Sequence, residues 1–123
     1  MLRYLRWLAV VIGVGLSLGE TIRSWGVHRP IFAVVDDYLM GVFLVGAALS
    51  GNRPGTYAVL AAAFGFSSGM LYGSFFGHLS HLSEPDPGHI PQKVLTFLIG
   101  LAFCGSVLGL ALSLWGARRQ TSP

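Results

Sequence analysis

Apolar positions in this chain gather into four long blocks, about Leu5–Ile22, Ile31–Leu49, Tyr57–Leu79 and Val94–Trp115, with polar residues concentrated in the gaps. Blocks of 18 to 23 residues reach about 27–35 Å at ~1.5 Å per residue, enough to cross a ~30 Å hydrocarbon core. Lipid supplies no hydrogen bonds to the backbone, so spanning segments are helices or strands of a closed barrel. Barrel strands would be alternating stretches of about ten residues, and the sequence has none. The pattern predicts an all-α chain: one membrane domain over residues 1–123, a four-transmembrane-helix bundle running up-down-up-down.

The gaps carry the expected punctuation. "GVHRP" (26–30) ends in Pro30, which suits a first helical residue. "SGNRPGT" (50–56) is a short turn, and "SEPDPGHIPQK" (83–93) is a longer polar loop with three prolines. In the first block, Arg3 and Arg6 precede an apolar run, and Ser17 and Gly19 form a small-x-small pair. That arrangement resembles a signal peptide; we read it as an uncleaved first helix.

Composition strengthens the membrane reading. Of 123 residues, 53% are hydrophobic and 11% charged, against roughly 25% charged in an ordinary soluble domain. The single Cys104 rules out an intrachain disulfide and two-thiol redox chemistry, and its apolar neighbourhood predicts a buried thiol.

Charge sets the expected orientation. With four spans, the termini and the 50–56 turn share a side holding Arg3, Arg6, Arg53, Arg118 and Arg119 and no acid. The opposite side holds Arg23, Arg29 and Lys93. The excess predicts both termini in the cytoplasm, in a bacterial inner (cytoplasmic) membrane. Trp7, Tyr57 and Trp115 mark the inner boundary and Trp25 the outer one. Topology and contact with anionic head groups account for the inner arginines, so membrane lipid is the expected partner and nucleic acid is not.

All five acids and all four histidines belong to the outer half. Asp36 and Asp37 sit roughly 10 Å into the second span, where a carboxylate usually faces a bundle interior or cavity. Adjacent helical residues point about 100° apart, so the two acids need not share surroundings. Asp37, in line with Gly41 and Ala48, is expected to face inward. Glu20 and Arg23 lie three apart on one face, as a local ion pair would. Arg23 can instead pair with Asp36 or Asp37 across the first hairpin. His78 and His81 also share a face, and with Asp37 or Glu20 they offer His and carboxylate donors to a metal. The cofactor stays unknown, with a metal at His78, His81 and Asp37 open rather than expected.

The other conspicuous pattern is Gly65, Gly69, Gly73 and Gly77, four apart on the third block. Such a ridge lets helix backbones approach closely where no hydrophobic effect drives association. Gly15/Gly19 and Gly105/Gly109 offer short matching patches. The seam can lie within the bundle or between chains. Three functional readings follow. The leading one is a membrane interaction protein, an accessory subunit of a larger complex or a self-associating scaffold, with other membrane chains or its own copies as partners. The second is an oligomeric proton- or cation-coupled transporter or channel using Asp36 and Asp37. The third is a metal or cofactor site at His78 and His81. Without a nucleophile–base pair or a catalytic loop, an enzyme is the less favoured expectation.

Overall fold

The computed structural model describes residues 1–26, 31–51, 55–84 and 90–121, except the side chains of Ala33, Gln120 and Thr121. The loop residues His28, Arg29, Pro30, Arg53, Asp86 and His89 lie outside the described residues. Four helices form: α1 (Leu2–Ser24), α2 (Ile31–Ala48), α3 (Thr56–Ser80) and α4 (Gln92–Thr121). Each apolar block thus becomes one helix, with bounds shifted by a few residues and α4 extended most.

Three helices are long and apolar enough to cross a membrane: Leu2–Ser24, Thr56–Ser80 and Gln92–Arg119. The shortest helix, α2, has 18 residues, or about 27 Å at ~1.5 Å per residue, and carries Asp36 and Asp37 in its first half. Helix ends coincide with local chemistry. Gly26 after α1 and Gly51 after α2 have φ of +70° and +87°, a conformation that side chains with a Cβ resist. The Gly51 carbonyl accepts hydrogen bonds from the Arg6 guanidinium and, at 2.7 Å, from the Thr56 hydroxyl. These bonds tie the start of α1 to the turn between α2 and α3.

The helices pack as two close hairpins, α1 with α2 and α3 with α4, joined by smaller α2–α3 and α1–α4 interfaces. Glycines decide both hairpins. A Cβ built on Gly13 would lie 3.0 Å from the Gly41 carbonyl oxygen, so α1 and α2 meet nearly backbone to backbone. The α3–α4 fit is different: aromatic rings of α3 fill glycine notches of α4. A Cβ on Gly109 would lie 2.5 Å from the Phe64 ring, and one on Gly100 would lie 2.9 Å from Phe75. Gly116 receives Tyr57 in the same way. The pairs run in opposite order along the two helices, so α3 and α4 are antiparallel. Tyr57 is thereby half-buried against α4 rather than simply a boundary aromatic.

Two apolar clusters fill the bundle. One centres on Leu5, Ala9, Leu44, Leu60 and Phe64, the other on Met40, Leu71, Leu95 and Ile99. Outside them the usual distribution of a soluble protein is inverted. Ser67, Ser106 and Ser113 are fully buried, while Val11, Phe32, Val42, Phe97 and Leu101 are exposed. Large apolar side chains turned outward and small polar ones at helix contacts suit a lipid surrounding. Other hydroxyls bond within their own helices, as with Ser17 to the Gly13 carbonyl (3.0 Å) and Thr96 to that of Gln92 (2.8 Å). Cys104 corrects an expectation: its thiol is exposed on the outer face of α4. An apolar neighbourhood in sequence signals burial in water, but in a membrane helix it equally marks a lipid-facing surface.

Candidate functional site

The polar end is built from the last turns of α1, the first half of α2, the end of α3 and the start of α4. Glu20 and Arg23, three residues apart on α1, both turn into the bundle and keep only 2% and 9% exposure. Sequence spacing placed them on one face, as a local ion pair would; the structure buries both against neighbouring helices. Ser24 donates to Glu20 Oε1 at 2.5 Å, a charge-assisted bond that steadies the carboxylate in its low-polarity surroundings. Arg23 also sits in the last turn of α1, where a cation complements the exposed carbonyls of the helix end.

Asp36 and Asp37 are both half-buried. They line one cavity of about 300 Å³ with Arg23, Ser74 and His78, above Met40 and Met70. The two acids therefore share surroundings although they point in different directions from α2. Their common approach to the cavity reflects the gap between α1, α2 and α3 at this end. Asp37 reaches further, into a second and larger groove between α1 and α4 that also contains Glu20, Arg23 and Ser74.

His78 is half-buried near the end of α3, and Gln92 at the start of α4 holds it. The Gln92 amide donates from Nε2 to the His81 carbonyl at 3.2 Å, while its Oε1 lies 3.2 Å from His78 Nδ1. With Oε1 as acceptor, Nδ1 carries the proton and Nε2 is the basic nitrogen of the ring. Gln92 thus joins the two helices that flank the outer loop and sets the imidazole tautomer. Sequence reasoning missed this residue; its position, first in a helix after a Pro-rich loop, was the available signal.

His81 goes elsewhere. Its Nδ1 lies 3.2 Å from Glu84 Oε2 in an exposed i,i+3 pair, worth about 0–1 kcal/mol in such a setting. Among the described residues, no three of the His, Cys, Asp and Glu side chains come together as a metal-holding group. The structure therefore does not assemble His78, His81 and Asp37 into one site. The i,i+3 spacing placed both histidines on one face, but His81 already lies in the turn that ends α3.

Around the cluster, α1 and α2 are further joined by Thr21 and Tyr38, whose oxygens are 2.6 Å apart. Thr21 donates its proton to the Ser17 carbonyl at 2.9 Å, so Tyr38 is the donor between helices. The arrangement links α1 to α2 and α3 to α4 through hydrogen-bonding side chains.

The glycine ridge occupies a separate face. Gly65 is in ordinary contact with Leu110, at 3.7 Å from a built Cβ. Gly69, Gly73 and Gly77 are exposed, and a Cβ on each would meet no described atom within 4 Å. Tyr72 and Phe76, their rings tilted 56° to each other with centroids 4.9 Å apart, border the same open surface. On three of the four ridge glycines a side chain would thus meet none of the described residues.

No family model matches the chain, and neither a curated protein nor a solved structure matches it.

Proposed function

We propose that this chain is a small integral membrane interaction protein, an accessory subunit of a larger membrane complex or a self-associating scaffold. In this reading all four helices span the bilayer, with both termini on the cytoplasmic side of a bacterial inner membrane. The open Gly69–Gly73–Gly77 face of α3 is its docking surface. The observation that carries the reading is the contrast among glycines: a Cβ on Gly13, Gly41, Gly100 or Gly109 would meet a neighbour closely, whereas a Cβ on these three would meet none of the described residues. A helix from another chain can approach such a ridge at backbone distance, which dispersion rewards in lipid.

The test is the mass of the gently solubilised protein, read by native mass spectrometry or in lipid nanodiscs. The wild type is expected to travel as more than one chain. Gly69→Leu and Gly73→Leu are expected to return single chains of unchanged helical content. A wild type that is a single chain at every protein-to-lipid ratio, with no stoichiometric companion, sinks this reading.

One observation favours a second reading, a proton- or cation-coupled transporter. Asp36 and Asp37 share a cavity with Arg23 and His78, a set suited to proton or cation handling. Against it, the cluster of Leu5, Leu44, Leu60 and Phe64 closes the bundle toward the chain termini. Coupled uptake into proteoliposomes that disappears in Asp37→Asn and Asp36→Asn distinguishes this reading from the first.

A further inference from the structure

The bundle end where α1 begins and α4 finishes has a chemistry unlike that of the polar cluster. The Arg6 guanidinium donates to the Gly51 carbonyl, and Tyr57 fills the notch at Gly116. The starts of α1 and α3 and the ends of α2 and α4 therefore meet there. Arg3, Arg6 and Arg119 belong to this end. Among the described residues it holds no acid, since Glu20, Asp36, Asp37 and Glu84 all sit toward the opposite end. Arg6 meets a neutral carbonyl, and Arg119 lies 4.9 Å from the centroid of the Trp115 ring. Neither contact cancels a charge, and Arg3 is exposed.

Helix ends add to this positive potential. Both α1 and α3 begin here with no side-chain cap bond and no acid in the first turn, so the positive ends of their dipoles stand uncompensated by an acid. The carbonyl ends of α2 and α4 each carry about half a negative charge. The full charges of Arg6 and Arg119 outweigh them. Around the same end Tyr4, Trp7 and Trp115 are exposed, as rings that settle at the level of lipid head groups are. Val11 and Leu114, on the flanks toward the bundle middle, are exposed as well.

We propose that this end is a docking surface for anionic phospholipid. Arg3 and Arg119 meet the phosphates, Tyr4, Trp7 and Trp115 lie against the glycerol level, and acyl chains cover Val11 and Leu114. Apolar flanks directly beside the cations fit a lipid rather than a free anion, and the unopposed positive charge selects anionic over zwitterionic head groups. The surface requires that the helices span a bilayer but not that the glycine ridge docks a partner, so the two can fail separately.

The experiment is electron paramagnetic resonance of the full-length protein in phosphatidylcholine bilayers, with a trace of spin-labelled phosphatidylglycerol or spin-labelled phosphatidylcholine. At low salt the protein is expected to immobilise the glycerol lipid several-fold in preference. The preference should fall toward parity at 1 M salt, where screening shortens to about 3 Å. Arg3→Gln and Arg119→Gln alter exposed side chains, and each should cut the preference by about two- to fivefold. Lys93→Gln removes the same charge from an exposed residue at the opposite end and should leave the preference unchanged. Equal immobilisation of the two lipids at low salt overturns the proposal. A preference kept in the Arg3→Gln/Arg119→Gln double variant does so too. A loss in Lys93→Gln as large as in Arg119→Gln also overturns it, because net charge and not this surface would then be the cause.

Discussion

Two glycine-bearing faces of this protein look alike in sequence and behave oppositely in space. On α4, Gly100, Gly109 and Gly116 are notches occupied by Phe75, Phe64 and Tyr57. On α3, Gly69, Gly73 and Gly77 form a smoother and more regular ridge that none of the described residues covers. The irregular set holds the monomer together; the regular set is left for something else. Regular spacing is what a rod-like partner requires, since another helix presents a continuous backbone edge. Irregular spacing suits separate knobs, each a ring entering its own hole. A glycine pattern therefore reports the shape of the partner before it reports whether that partner is internal.

The comparison breaks first at Phe64. This ring is fully buried and sits over Gly109, so Phe64→Ala leaves a void between α3 and α4. Core truncations of this kind cost about 3–5 kcal/mol. Because the unfolded helices remain in lipid, the transfer part shrinks and the lower end of that range is expected. Reversible unfolding in mixed micelles followed by circular dichroism measures it.

Gly109→Leu is the next largest. The new side chain collides with a ring that has no space to retreat into, and overpacking of this sort costs about 1–3 kcal/mol. Better helix propensity returns at most ~1 kcal/mol. Pairing Gly109→Ala with Phe64→Leu sharpens the point: the double variant should be less destabilised than the sum of its parts, with coupling of about 0.5–3 kcal/mol. Strict additivity would show that the ring and the notch are independent.

Gly73→Leu should change monomer stability least, within about 0.5 kcal/mol and in the stabilising direction if at all. Its effect belongs to association, as described above. A Gly73→Leu protein that melts well below the wild type as a single chain would place the ridge inside the fold and remove the contrast.

Much of the architecture was legible in the chain. Four apolar blocks became four helices, three of them long and apolar enough to cross a membrane, because such length and backbone hydrogen bonding leave few alternatives. Gathering of the acids near the ends of α1 and α3 and the first half of α2 was also legible, since a hairpin of fixed helices brings residues of one end together. The fate of each side chain there was not. Glu20 and Arg23 turned into the bundle, and His81 turned away from His78 to Glu84. Gln92, which joins α3 to α4 through His78, carried no signature beyond its place after the loop.

Helix number, helix length and the gathering of the described acids at one end were settled by the chain alone, because each follows from local composition and a ~1.5 Å rise per residue. Which glycines are filled, which acids share a cavity and where the groove opens were decided only by how the helices rotate about their axes. That rotation is a collective outcome of packing: in lipid most faces are apolar, so hydropathy hardly distinguishes them, and close fit between particular rings and notches makes the choice.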